Sequence, residues 1–504
     1  MAAASTRSTA WLVLFSLFVC YLALAPCTTG GRGYTYEDMQ SGLGALSSFN
    51  AWVKGRPVPA ISWTRHGPVP LLLDLPFIKA GKLFVSPDFV LSLQPVLLTA
   101  GLLAILYLWL TRLCTPGMSL LLTLIGAFTT MLWPYAYIGL ETKQAFFIVA
   151  AGYLGLAGGK IRTWPRLALF SIVCALAISV KSTGVILAPV IAYLIYVQYR
   201  DDWKSRRKQV LAVLLIVGGI WAVGVLGWRP FWNTKGGSLH ALGEWTIHSP
   251  FQYLTNAIGL FGSPTKGLFV FAPALVFSIF AFPRALSRHR ETAVFALLVT
   301  VCTVAFLSIL SVPADELWGP RFMHVTNVPL LLVLGAAWSR FRWRRHLAVV
   351  ILSAVGFAVS FLGAFYYYGA RGAAARAADQ NVLEWLAGDN VWNEVLFDAR
   401  LFEVWIRGGS DPALWTPSHT WAWEKPPDAQ SWKTVNLREY ADPQSFLLYY
   451  WNMPLSESDR IIFRICLAAL IAGPLLLAWT IARTVRMTRS SPIPLSATLK
   501  SFVL

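Results

Sequence analysis

Long runs of apolar residues dominate the chain and determine its predicted fold class. Runs of about 20 residues match the length that an α-helix needs to cross the hydrocarbon core of a bilayer. They lie near residues 9–27, 91–111, 117–139, 143–158, 166–181, 182–199, 209–228, 267–284, 291–312, 321–339, 346–368 and 461–482. The pattern therefore predicts an all-α integral membrane protein with about twelve transmembrane helices, since helices satisfy their own backbone groups in lipid.

Composition supports this class and excludes a soluble one. The 504 residues are 56% hydrophobic and 13% charged, with a mean hydropathy of +0.57. A net charge of +18 could indicate nucleic-acid binding. However, the basic residues do not form one stripe, and alternating helices place them on one side of the membrane: Arg7, Arg112, Lys160, Arg162, Arg166, Lys204, Arg206, Arg207, Lys208, Arg284, Arg288, Arg290, Arg340, Arg342, Arg344, Arg345, Arg483, Arg486 and Arg489. We predict no nucleic-acid partner.

The basic segments also predict orientation, because short cytoplasmic loops retain lysine and arginine. Both termini are then cytoplasmic, in a multi-pass protein of the plasma (inner) membrane. This prediction depends on dividing 166–199 into two spans at Lys181, since one long helix would reverse every later loop. Arg7, the apolar core and Ala23-Leu24-Ala25 also fit a cleavable signal peptide, and the next segment is outside in either case.

Three outer segments are long enough to carry function: 28–90, 229–266 and 369–460. We divide the chain into a transmembrane module, 1–368, an extracytoplasmic polar segment rich in tryptophan, 369–460, and a final helix with its cytoplasmic tail, 461–504. The tryptophans could stack on sugars or anchor the segment at the membrane interface. Residues 391–407 have helix-like apolar spacing that fits packing on the membrane surface.

The first outer segment contains adjacent acids, Glu37 and Asp38, followed by Lys54 and Arg56. A carboxylate at the membrane surface can accept a proton from an attacking hydroxyl, while nearby cations stabilise a departing phosphate. Thr35-x-x-Asp38 also fits the start of a helix, where acids are favoured in the first turn. These residues alone favour the start of a helix over a catalytic carboxylate.

Several short motifs follow one another in a recognisable order. They are Glu37-Asp38, Arg65-His66-Gly67-Pro68 through Phe77, Gly139-Leu140-Glu141-Thr142, Lys181-Ser182-Thr183 through Pro189, Ser263-Pro264-Thr265-Lys266-Gly267 through Pro273, and Trp318-Gly319-Pro320-Arg321-Phe322. In this order they resemble the polytopic GT-C glycosyltransferases, which include protein O-mannosyltransferases and the lipid A aminoarabinose transferase. The resemblance covers much of the membrane portion and leaves 369–460 outside it.

The resemblance implies an inverting hexosyltransferase that moves a sugar from a polyprenyl phosphate to an extracytoplasmic protein, lipid or polysaccharide, among membrane lipids. The implied general base is Asp38, with Glu37 as its rival because the family's usual Asp-Glu order is reversed here. Glu141 is implied as a second catalytic or metal-adjacent acid, although a local ion pair with Lys143 is an equal alternative.

The cations that could bind the donor phosphate share positions at outer helix ends or loops. They are Arg65, His66, Lys181, Lys266 and Arg321. Snorkelling to the interface is the alternative for each, and Arg321 could instead pair with Asp315 or Glu316. Neither a carboxylate cluster nor a metal-binding cysteine spacing is visible, so we predict no metal and no cofactor.

Two other classes of function remain as alternatives. A transporter or flippase of lipid-linked saccharides would carry ionisable residues deep within its spans, whereas the acids here lie near predicted outer ends. A noncatalytic cell-envelope membrane protein would bind saccharides without turnover.

Overall fold

A computed structural model of the chain provides the fold. It describes residues 2–23, 68–83, 87–137, 139–225, 249–263, 266–310, 320–340, 343–365, 394–407, 414–415, 435–436, 438 and 457–490. The described part is predominantly a bundle of helices around one extended apolar core.

The first half of the bundle contains eight α-helices in the described residues. They are α1 (Ala2–Leu22), α2 (Pro68–Leu83), α3 (Pro87–Leu110), α4 (Pro116–Thr129), α5 (Gly139–Gly152), α6 (Trp164–Ser179), α7 (Ala188–Tyr199) and α8 (Trp203–Val225). Short 3₁₀ helices, Pro134–Tyr137 and Ser182–Leu187, precede α5 and α7. Proline is the first residue of α2, α3 and α4, where its missing N–H breaks no helical hydrogen bond.

The second half of the bundle contains eight further α-helices in the described residues. Its α-helices are α9 (Pro250–Gly262), α10 (Leu268–Phe271), α11 (Phe277–Arg288), α12 (Arg290–Ser308), α13 (Asn327–Ala337), α14 (Trp343–Phe365), α15 (Glu394–Arg407) and α16 (Glu457–Ser490). The 3₁₀ helix Arg321–Thr326 leads directly into α13. Two residue pairs, Leu414–Trp415 (β1) and Val435–Asn436 (β2), form a small antiparallel ladder, which the all-α prediction did not include.

Each of the twelve apolar stretches contains helical structure in its described residues, but the prediction of twelve full-length spans is met only in part. Four helical segments in the described part are long and apolar enough to cross a membrane by length and composition: Phe89–Leu110, Arg290–Ser308, Arg344–Phe365 and Arg460–Thr488. Several of the others are shorter because a 3₁₀ segment replaces part of the α-helix. The stretches 117–139, 182–199 and 321–339 are composites of this kind.

The division of 166–199 at Lys181 into two helices is confirmed. Helix α6 ends at Ser179, and a 3₁₀ turn leads into α7. Gly184 donates its backbone N–H to the Lys181 carbonyl at 2.7 Å. A Cβ atom on Gly184 would lie 2.7 Å from the Ile178 carbonyl oxygen, so the backbone passes closely over the end of α6.

Contacts between helices define two ends of the bundle. Helices α1 and α16 are antiparallel, since Thr9 contacts Met487 whereas Ser16 contacts Thr480. The C-terminal ends of α3, α5, α7 and α11 lie near the start of α1. They carry the basic residues Arg112, Lys160, Arg200 and Arg288, and we call this end of the bundle the basic end. At the opposite end, Tyr21 donates to the Ala127 carbonyl at 2.7 Å.

The predicted outer segment 28–90 contains helical structure in its described residues. Residues 68–83 form α2, and α3 already begins at Pro87. Helix α2 packs along α3, where the Gln94 side-chain amide donates to the Leu73 carbonyl at 2.8 Å. This contact attaches α2 to the second turn of α3.

The predicted helix within the polar segment is confirmed as α15. Its buried face includes Phe397, Leu401 and Val404. The ring of Phe402 packs edge-on against Phe365, with centroids 5.4 Å apart, so α15 is attached to the last turns of α14. The prediction that 391–407 packs on the membrane surface is not tested by these contacts.

Replacing Gly184 with alanine should destabilise the protein, because the new methyl group would press on backbone atoms that cannot rotate away. Overpacking of this kind costs about 1–3 kcal/mol. Thermal unfolding of purified protein in lipid nanodiscs measures the change. Gly219→Ala in α8 is the matched control, since nothing lies within 4 Å of its added Cβ. Equal unfolding temperatures for Gly184→Ala and wild type would contradict the prediction.

Candidate functional site

Glu141 lies in the first turn of α5, and its side chain is only 3% exposed. An acid is favoured there because the N-terminus of a helix carries partial positive charge. The next residue, Thr142, donates its hydroxyl to the Tyr135 carbonyl at 2.7 Å. This bond ties the start of α5 to the preceding 3₁₀ helix and fixes the position of the Glu141 carboxylate.

Two cations from distant parts of the chain meet this carboxylate. Lys181 Nζ lies 3.2 Å from Glu141 Oε1, across 40 residues of sequence. Arg321 Nε donates to the same oxygen at 2.7 Å, across 180 residues. We call these three residues the Glu141 cluster. It lies at the end of the bundle opposite the basic end, because the 3₁₀ helix Pro134–Tyr137 also contacts Tyr21 there.

The cluster is dry, since its three side chains are 3–8% exposed. Moving charges out of water costs several kcal/mol per ion, so each charge requires a close counter-charge. The two cations stabilise the ionised form of Glu141. Lys181 Nζ in addition lies 4.2 Å above the ring of Phe322, a cation–π contact.

The second oxygen of the carboxylate, Glu141 Oε2, is buried and accepts no hydrogen bond within the described part of the chain. His324 is 1% exposed, and its imidazole lies beside the Glu141 backbone. Arg321 and His324 stand three residues apart in a 3₁₀ helix, so they project from the same side. The His324 ring packs on Tyr135 with centroids 5.1 Å apart.

Sequence reasoning missed His324, although its spacing from Arg321 within a short helix was a usable signal. It also missed Asp74, an acid inside the apolar run Leu71-Leu72-Leu73-Asp74-Leu75. An ionisable residue in such a run is a functional or structural marker in membrane proteins.

The alternative of a local Glu141–Lys143 ion pair is wrong. Lys143 Nζ lies 2.7 Å from Asp74 Oδ1 and 2.8 Å from Asp74 Oδ2. Side chains two residues apart on an α-helix are separated by about 200° around the helix axis, so they point to opposite sides. Glu141 and Lys143 therefore face different neighbours, and each finds its partner on another helix.

The structure brings together three of the candidate residues, Glu141, Lys181 and Arg321. Lys266 lies in the turn between α9 and α10, where its backbone N–H donates to Ser263 Oγ at 3.3 Å. The other candidates lie outside the described residues: Glu37, Asp38, Arg65 and His66, together with Asp315 and Glu316 as suggested partners of Arg321.

Comparisons with protein-family models and with curated proteins give no match. Among solved structures, the chain is similar to the archaeal oligosaccharyltransferase AglB from Archaeoglobus fulgidus in complex with an inhibitory peptide and a dolichol-phosphate. The identity is 14% and the TM-score 0.41, over 78% of this chain and 57% of that chain. The chain is also similar to the Archaeoglobus fulgidus oligosaccharyltransferase in the apo form. The identity is 14% and the TM-score 0.40, over 91% of this chain and 64% of that chain. The chain thus spans less than two thirds of either protein.

Replacing Glu141 with glutamine should strongly destabilise the protein, because two buried cations lose their counter-charge. Breaking a buried ion pair by removing one partner costs about 3–5 kcal/mol. Glu291→Gln is the matched control: Glu291 also pairs with an arginine at 2.7 Å, but both side chains are about 40% exposed. That exposed pair should contribute less than about 1 kcal/mol. Thermal unfolding in nanodiscs compares them, and similar losses for both variants would contradict the importance of burial.

Proposed function

We propose that the protein is a membrane-embedded inverting glycosyltransferase that transfers a sugar from a polyprenyl phosphate to an extracytoplasmic acceptor. One observation carries the proposal. Three motifs that resemble the GT-C glycosyltransferases, and that lie far apart in the sequence, contribute Glu141, Lys181 and Arg321 to one buried cluster. Independent snorkelling of each residue to the membrane surface would not place their charged atoms within 3.2 Å of one carboxylate oxygen.

The chemistry of the cluster fits the leaving group of this reaction. A departing polyprenyl phosphate develops negative charge, which preorganised cations in a dry site stabilise more strongly than water does. Glu141 orients Lys181 and Arg321, and a guanidinium can bind phosphate oxygens through two parallel hydrogen bonds. The long apolar tail of the donor would lie among the lipid-facing helices.

The acceptor side of the reaction needs a general base. By resemblance this is Asp38, with Glu37 as its rival, and the base takes the proton from the attacking hydroxyl. In-line attack then inverts the anomeric carbon while the phosphate leaves toward the cations. If the basic end faces the cytoplasm, as the distribution of lysine and arginine predicts, the cluster lies at the extracytoplasmic face.

The test is sugar transfer by purified protein in lipid, with radiolabelled polyprenyl-phosphate sugars as donors and membrane extract as acceptor. We expect Asp38→Asn to lower kcat by about 10²–10⁴-fold, the usual contribution of a general base. Arg321→Lys keeps the charge but loses the planar fork, and should lower kcat by about 10²-fold. Arg200→Lys, which alters an exposed ion pair at the basic end, should retain wild-type transfer.

The outcomes separate the remaining alternatives. Loss of transfer in Glu37→Gln but not in Asp38→Asn would assign the base to Glu37. If wild-type protein consumes no donor of the panel, the glycosyltransferase proposal fails. Movement of a labelled lipid-linked saccharide across proteoliposomes would then identify a transporter, and binding without either activity would identify a noncatalytic protein.

A further inference from the structure

The first two turns of α8 carry a dense group of cations at the basic end. Helix α8 begins at Trp203, and four of the next five residues are basic: Lys204, Arg206, Arg207 and Lys208. Arg206 is partly buried, whereas the other three are exposed. We call Lys204, Arg207 and Lys208 the α8 basic patch.

Neighbouring acids do not neutralise this patch. Asp201 contacts Lys160 Nζ at 3.0 Å and Arg200 Nε at 3.6 Å. Asp202 lies 3.5 Å from Arg206 Nε. These ion pairs occupy the two acids nearest in the sequence. Within the described part of the chain, no ion pair includes a residue of the α8 basic patch.

The patch continues into an apolar surface on the same face of the helix. Residues three or four apart on an α-helix are neighbours, so Lys208 lies in one row with Leu211 and Leu215. These leucines are 56% and 65% exposed. Helix α8 packs on α6 through a different face, which consists of the buried residues Val210, Val213 and Val217. The exposed row is therefore available to lipid.

Two exposed tryptophans indicate where this surface meets the membrane interface. Trp203 is 51% exposed and Trp164 is 62% exposed, and they are the first residues of α8 and α6. Both closely follow a partner of the Lys160–Asp201 ion pair in the sequence, so the two helices begin at the same end. Tryptophan is enriched at the headgroup level of a bilayer. The α8 basic patch thus lies at headgroup level, next to leucines that face hydrocarbon.

We propose that the α8 basic patch binds the headgroup of an anionic phospholipid, whose acyl chains lie along Leu211 and Leu215. Ammonium and guanidinium groups donate charge-assisted hydrogen bonds to phosphate oxygens, and Arg207 can bind two of them. Each cation close to anionic lipid contributes about fivefold to the affinity. The apolar row accommodates acyl chains, which a soluble phosphate lacks. This lipid site lies at the end opposite the Glu141 cluster and is independent of sugar transfer.

Native mass spectrometry of the purified protein measures the Kd of phosphatidylglycerol, with phosphatidylcholine as the neutral lipid. In Lys204→Gln/Arg207→Gln/Lys208→Gln, phosphatidylglycerol should bind about 10²-fold more weakly, because three contributions of about fivefold are lost. Its affinity for phosphatidylcholine should not change. The variant Lys204→Arg/Lys208→Arg keeps the charges and should bind like wild type. Equal affinity of wild type and the glutamine variant for phosphatidylglycerol would overturn the proposal.

Three exposed arginines at the basic end provide a matched control. They are Arg284, Arg288 and Arg290. Arg284 donates to the Phe280 carbonyl at 3.4 Å, and Arg288 lies in the last turn of α11, where helix carbonyl groups attract a cation. The variant Arg284→Gln/Arg288→Gln/Arg290→Gln removes the same charge and should weaken binding by less than about fivefold. A loss equal to that of the α8 variant would overturn the proposal, since any cation of this end would then suffice.

Glycerol phosphate distinguishes a lipid from a soluble phosphate of the same chemistry. In phosphatidylcholine nanodiscs, replacing part of the lipid with phosphatidylglycerol should raise the unfolding temperature of wild type, because a ligand of the native state stabilises it. The glutamine variant of the patch should unfold like wild type in pure phosphatidylcholine and lack this rise. Glycerol phosphate should not raise the unfolding temperature. An equal rise with glycerol phosphate, or no rise with phosphatidylglycerol, would overturn the assignment of a lipid site.

Discussion

A carboxylate removed from water must be neutralised by groups within reach, and the organisation of this bundle at one end depends on that constraint at Glu141. Its Oε1 atom meets Lys181 and Arg321, which the chain supplies from 40 and 180 residues away. Three segments must therefore lie close together: the start of α5, the junction between α6 and α7, and the segment before α13. Apolar packing is compatible with several rotations of a helix about its axis. The 2.7 Å contact between Arg321 Nε and Glu141 Oε1 is compatible with few of them.

The cluster is built where regular α-helix gives way to 3₁₀ structure. Lys181 precedes one 3₁₀ helix, Arg321 begins another, and α5 with Glu141 follows a third. A tighter helix brings residues three apart onto one side, as with Arg321 and His324. The same segments shorten α4, α7 and α13, which explains why several predicted spans are composites and not single long α-helices.

Hydropathy located nearly all the helices correctly, because an apolar window of sufficient length forms a helix in lipid whatever its partners are. It did not predict α2 or α9, because their 16 and 13 residues fall short of a span. The motifs identified Glu141, Lys181 and Arg321 as candidates, but no local pattern encodes a contact across 180 residues. The rejected pairing of Glu141 with Lys143 could have been avoided from helical geometry alone, since neighbours at i and i+2 face apart.

The opposite directions of Glu141 and Lys143 give α5 two distinct electrostatic faces within one turn. One face is neutralised by the α6–α7 junction and the segment before α13, and the other by α2. Because the two faces have separate partners, a charge lost on one cannot be replaced by a residue from the other. The first turn of α5 thus contacts α2 on one side and the cations of the Glu141 cluster on the other.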